Sequence, residues 1–242
     1  MISRKKLLDL FPLTPNEVIT NSDSPERTIR EWLSLFSQVI GEYNIPIYLL
    51  YGTCLGIIRD QDIIPHDTDI DIGIKEDDFL KLSKAVKKLE SLGFFITSVA
   101  RFTIRFELKG VPDGLDLWTI EQVKNPFVRL WGYKWLCDHV YYKQDYFSDS
   151  DSVIYDKNKY YVPSPVTNYL EGVFGKSWTV LIKDFYAGPR GLLSQWLSKP
   201  FVDFDVPMQF SGSRGVYKPW VSRVIKRFFS KTSLMTEFKH PD

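Results

Sequence analysis

One stretch constrains this chain more than any other: in IPHDTDIDIGI, residues 64–74, aspartates and aliphatic residues alternate. On a β-strand, successive side chains point to opposite faces, so Asp67, Asp69, Asp71 and Gly73 share one face while Thr68, Ile70, Ile72 and Ile74 share the other. A fold that accepts this strand must bury the isoleucines and still satisfy carboxylates about 7 Å apart at their Cα atoms. Unneutralised, such carboxylates repel, and one tends to keep its proton. Mg2+, which takes oxygen ligands and commonly binds one or two carboxylates together with substrate phosphates, resolves that conflict. The plainer reading is a solvated acidic face.

Two other features favour the metal reading. Gly52-Thr53 follows the apolar IYLLY and precedes a short helical stretch, a place where a glycine and helix-start N–H groups can bind phosphate; a tight turn with a capping Thr is the simpler alternative there. Asp116, in GLDLWTI, is a third carboxylate on a strand, opposite in facing to Leu115 and Leu117.

Composition sets the limits. With 242 residues, 44% hydrophobic and 25% charged, the chain can bury one substantial core. A net charge of +1 gives no broad basic field, no local basic patch stands out before residue 213, and nucleic acid is not an expected partner. Cys54 and Cys137 lie in apolar surroundings, which suits packing in a reducing compartment. The N-terminal MISRKKLLDLFPLTPNE lacks the long apolar run and cleavage site of a signal peptide, and Ile45–Ile58 is too short and too interrupted to span a membrane. The expected location is cytoplasmic, with the option of a peripheral position on the membrane face.

Helical spacing predicts a helix from Ser24 and Pro25 to about Gly41, and another from Glu76 to Leu92 stopped by Gly93. IYLLYG, Asp69–Ile74, FFITSV, FTIRFEL and LDLWTI read as strands, and SDSDS at 148–152 as a loop. Pro163 and Pro165 introduce a last helix bearing Tyr169, Leu170, Val173 and Phe174 on one side. This order predicts an α+β chain with a mixed sheet and helices packed against it. Three parts are expected: an extension over 1–24, a catalytic domain over 25–200, and a tail over 201–242. In the tail, SRGVYKPWVSRVIKRFFSKT holds six Lys or Arg and no acid, with apolar residues from Trp220 on one stripe, a helix that could lie on an anionic membrane. Arg101 and Arg105 read as exposed strand residues that could line an anionic site. Trp131, Tyr133, Trp135, Tyr141 and Tyr142 read as core rather than a sugar platform.

GTCLGIIRDQDIIPHDTDIDIGI, the later LDLWTI and VPSPVTNYLEGVFGKSW together, over residues 51–178, resemble the LicD and fukutin family. The resemblance implies a nucleotidyltransferase-like fold and transfer of a phospho-alcohol from a CDP-linked donor (CDP-choline, CDP-ribitol or CDP-glycerol type) to a glycan hydroxyl, with CMP released. The acceptor could be lipid-linked. It also implies that Asp69, Asp71 and Asp116 form the catalytic and metal site for Mg2+ or Mn2+, with Asp116 a ligand first and a base second. Gly52, Thr53 and Gly56 would cradle donor phosphates, Arg59 would neutralise a phosphate oxygen, and His66 and Asp67 would stand beside the donor. His66 occupies a position where the family usually carries Trp; it could contact a phosphate, but a lone His beside Asp67 is more often a structural hydrogen-bond partner. Two alternatives stay open: a nucleotidyltransferase acting on a small hydroxyl compound, and a non-catalytic glycan-binding protein.

Overall fold

The computed structural model describes residues 4–138, 140–148 and 151–180. Helix α1 (Arg4–Leu10), α2 (Asn16–Thr20) and α3 (Ile29–Gly41) precede a short strand β1 (Tyr48–Leu49) and helix α4 (Tyr51–Arg59). Then follow β2 (Asp69–Lys75), α5 (Phe79–Ser91), β3 (Phe95–Val99), β4 (Thr103–Leu108) and the long β5 (Val111–Gln122). Helix α6 (Pro126–Leu130), β6 (Trp135–Cys137), β7 (Val140–Tyr142), β8 (Asp151–Tyr155), β9 (Asn158–Val162) and α7 (Val166–Phe174) complete the described chain. The strands form one sheet in the order β3-β4-β5-β2-β1-β9-β8, with β6 and β7 continuing from β5. Pairs β2·β5 and β1·β9 are parallel and the rest antiparallel, which is the mixed sheet expected.

The isoleucine face of β2 lies in the core. Ile70, Ile72 and Ile74 are fully buried together with Leu115 and Leu117 of β5 and with Trp32, Phe36 and Phe94, whose rings meet edge to face at 4.8–5.5 Å. Helix α3 begins at Ile29 rather than Pro25. Thr28 accepts from the Glu31 N–H and Glu31 accepts back from Thr28, a capping box that outcompetes Ser24 as the start.

The first residues are structural rather than an appendage: Leu7 and Phe11 are fully buried in the main core, and Phe11 packs edge-on against Phe79 at 5.6 Å. Asp151 and Ser152, expected in a loop, open β8 against Tyr161 and Val162 of β9. The apolar IYLLYG contributes only two strand residues because Tyr51 already belongs to α4. The basic stretch from residue 213, and the domain boundary at 200, fall outside the described residues. Among the described residues, no helix is long and apolar enough to cross a membrane.

Candidate active site

Parallel pairing of β2 with β5 brings the acids together. The register sets Asp71 opposite Asp116, Asp69 opposite Gly114 and Gly73 opposite Trp118. Carboxylate oxygens of Asp69, Asp71 and Asp116 thus lie within 4.8 Å of one another, although Asp71 and Asp116 are only 5% and 7% exposed. Burial pushes the Asp71 carboxyl well above the usual carboxylate range, the charge of Asp69 pushes it further, and a hydrogen bond from Trp118 opposes both. Asp69 is raised mainly by burial, and Asp67 is pushed up to about 7 by burial and by Asp69.

The surrounding sequence holds these acids in place. Trp118 Nε1–H donates to Asp71 Oδ1 at 2.8 Å, and the Tyr51 ring meets the indole edge-on at 5.8 Å. Tyr51 takes φ 44° at the head of α4, a left-handed conformation rare for a bulky residue, and its N–H donates to Tyr169 Oη at 3.2 Å. Gly114 has φ +74°, and a Cβ there would meet the Phe106 carbonyl oxygen at 2.2 Å. Only glycine fits opposite Asp69.

Of the residues expected to meet the donor, Gly52 stands beside the acids: a Cβ there would lie 2.9 Å from Asp67 Oδ2. That oxygen is buried without a hydrogen-bond partner among the described residues. Thr53 is buried, and its hydroxyl accepts the Asp71 N–H at 2.9 Å, tying α4 to β2. Gly56 lies against the backbone of 62–64, where a Cβ would meet the Asp62 carbonyl oxygen at 2.7 Å. Arg59 forks onto its neighbour Asp60 at 2.7 and 2.6 Å, and His66 is exposed.

The cation that reaches the cluster is Arg105. The β4·β5 register puts it opposite Asp116, and its Nε and Nη2 donate to both carboxylate oxygens at 2.8 and 2.7 Å. The alternation RFTIRFEL carried the signal that Arg105 faces away from Ile104 and Phe106, but its partner depended on register. Asp138 is a fourth acid that sequence reading missed. Burial pushes its carboxyl up to about 7, the charge of Asp116 adds to this, and Tyr51 Oη donates to it at 3.4 Å. It reaches the site because β6 folds back along β5, which no local pattern in KWLCD announces. Trp135 and Tyr142 are core, as expected, while Trp131 is exposed.

Three converging carboxylates, with an orphaned oxygen of Asp67 nearby, make a donor set of hard oxygens, and the Arg105 guanidinium offsets part of the charge on Asp116. That chemistry fits a divalent cation, with Asp69, Asp71 and Asp116 as its ligands.

The uncharacterized protein RP689 of Rickettsia prowazekii (strain Madrid E) is 31% identical over 91 residues, 38% of this chain and 32% of that protein. The human ribitol-5-phosphate transferase FKTN is 22% identical over 169 residues, 65% of this chain and 34% of that protein. The chain thus spans about a third of the length of the curated relatives it matches. A crystal structure of the lincosamide antibiotic adenylyltransferase LnuA with lincomycin bound superposes with a TM-score of 0.43 at 15% identity, covering 67% of this chain and 94% of that one. Residues 44–170, just over half the chain and including Asp67, Asp69, Asp71, Asp116, Asp138 and the Arg105 that pairs with Asp116, match the family described as LicD/FKTN/FKRP, nucleotidyltransferase domain, and the protein belongs to that family.

Proposed function

We propose that the protein is a divalent-metal-dependent transferase that moves a phospho-alcohol from a CDP-linked donor to a hydroxyl of a glycan, releasing CMP. The observation that carries this reading is the convergence of Asp69, Asp71 and Asp116 inside a domain of this family. In the reaction, the acceptor oxygen forms a bond to the phosphorus bearing the alcohol, the bond from that phosphorus to the CMP oxygen breaks, and the hydroxyl proton leaves. Mg2+ held by the three aspartates would offset charge on the donor diphosphate, which is the larger part of what phosphoryl transfer needs.

The residues themselves supply alignment. Trp118 and Thr53 fix Asp71 from both its side chain and its backbone. Arg105 occupies one side of both Asp116 oxygens and leaves their remaining lone pairs for a ligand, which favours Asp116 as ligand over base. Asp138, half-buried beside Tyr51 and raised to about 7, is better matched to accept the acceptor's proton near pH 7.

The test is a transfer assay with CDP-ribitol, CDP-choline and CDP-glycerol, with and without Mg2+, reading CMP release by the native protein and by Asp69→Asn. Metal-dependent CMP release lost in the variant supports the reading, and the most active donor names the alcohol. Pyrophosphate release from ATP with no CMP formation would replace it with nucleotidyl transfer, and thermal stabilisation by no nucleotide at all would point to a binding protein.

A further inference from the structure

Between Glu121 and Asp138 the chain carries Lys124, Arg129 and Lys134 and no acid. The fold turns this segment into a protrusion beyond the end of β5. Asn125 Oδ1 accepts from the N–H groups of Phe127 and Val128, Pro126 occupies the first turn, and Gly132 at φ +87° ends it. Val128 and Tyr133 pack on a satellite core of Phe102, Val123 and Leu136. Because that side is anchored, Phe127, Leu130 and Trp131 are turned outward, 76%, 84% and 75% exposed.

We infer that this protrusion is a membrane-surface anchor, which places Phe127, Leu130 and Trp131 in the interface of an anionic lipid layer with Lys124, Arg129 and Lys134 over the headgroups. Three large apolar side chains exposed together on one turn mark an interaction site rather than scattered surface apolarity. Trp at the level of the headgroups and cations beside it are the composition of an interfacial anchor.

Charge selects the occupant. Lys124 and Lys134 pair with Glu76 and Asp145 at 3.3 Å yet remain more than half exposed, and Arg129 stands exposed between Phe127 and Leu130, so the rim carries three cations to two acids. A second copy of the same patch would set cations against cations. The stretch from residue 213, with six Lys or Arg and no acid, has the same sign and is no complement to it. An anionic lipid surface satisfies both the apolar tip and the basic rim.

The experiment is co-sedimentation of the full chain with vesicles of phosphatidylglycerol and phosphatidylcholine, and with phosphatidylcholine alone. The variants are Phe127→Ser/Leu130→Ser/Trp131→Ser, Arg129→Glu, and Trp220→Ser/Phe228→Ser, each with its thermal midpoint. Expected are binding to the anionic vesicles that weakens with salt, a loss of about tenfold or more in the triple variant at unchanged midpoint, and a smaller loss for Arg129→Glu. Undiminished binding by the triple variant, loss confined to Trp220→Ser/Phe228→Ser, or a native chain that ignores vesicles but loses self-association on triple substitution would each overturn the assignment.

Discussion

Two regions of this molecule break the ordinary rule of apolar inside and charged outside, in opposite senses. At the β2·β5 pair, Asp71 and Asp116 are buried beside Asp69; on α6, Phe127, Leu130 and Trp131 are exposed. In each case the misplaced groups are held by well-made local structure. Trp118, Thr53 and Arg105 hold the acids, and the Asn125 cap with the satellite core under Val128 holds the apolar tip. The difference lies in what completes them: the acids call for a cation within a rigid sheet, and the tip for an extended amphipathic surface.

The largest expected effect separates function from stability at the acidic region. Asp71→Asn should lower CMP release by about a thousandfold or more. It should also stabilise the metal-free protein by about 1–2 kcal/mol, because the amide keeps the acceptor for Trp118 and ends the repulsion from Asp69 and Asp116. A loss of stability instead would mean that the aspartate is structural and the comparison with α6 fails. Trp118→Phe leaves the carboxylates and removes the donor to Asp71. Metal affinity should fall about 10–100-fold, read by titration calorimetry with Mn2+.

Next comes the roughly tenfold loss of vesicle binding expected for the α6 triple variant, whose CMP release toward a soluble acceptor should be unchanged.

A pH series sharpens the acidic side further. Asp67 and Asp138 are both pushed to about 7, so in the folded protein they hold protons that the unfolded chain releases near pH 4. Their contribution to stability is complete below about pH 4 and is lost as pH rises through 7. The metal-free protein should therefore lose stability between about pH 4 and 7, and Mg2+ should flatten that slope. Below this window Asp60 and Asp62, held low by hydrogen bonds from Arg59 and Tyr155, act in the reverse direction and lose their contribution as they protonate.

The smallest effect belongs to a buried acid outside the cluster. Glu121, almost wholly buried, has Oε1 without a hydrogen-bond partner among the described residues and a carboxyl raised by burial. Glu121→Gln should stabilise by about 1 kcal/mol or less and leave CMP release untouched. A loss of activity would show that burial of acids in this sheet is functional beyond the three.

Much of this was legible before the fold. The alternation DIDIGI announced a strand with one apolar and one acidic face, and LDLW announced a second, because period-two patterns report facing without needing a partner. Helix α5 and the buried side of α7 followed from spacing for the same reason. Other features were not legible. Ser24 and Thr28 are both good caps, and the choice fell to Glu31, three residues after Thr28. Arg59 sat nearest the motif, yet Asp60 beside it takes its fork. The protrusion on α6 passed as aromatic core because composition does not say which side of a single turn finds the satellite cluster.

By itself, then, the sequence determined which side chains share a strand face and hence that Asp69 and Asp71 stand together, since that follows from the geometry of one strand. Only the tertiary structure decided that Asp116 stands opposite Asp71, that Arg105 and not Arg59 reaches Asp116, that Asp138 comes near, and that Trp131 faces out. Those depend on register and on which strands become neighbours, and register is set by the summed burial of every strand in the sheet, not by the residues that end up in contact.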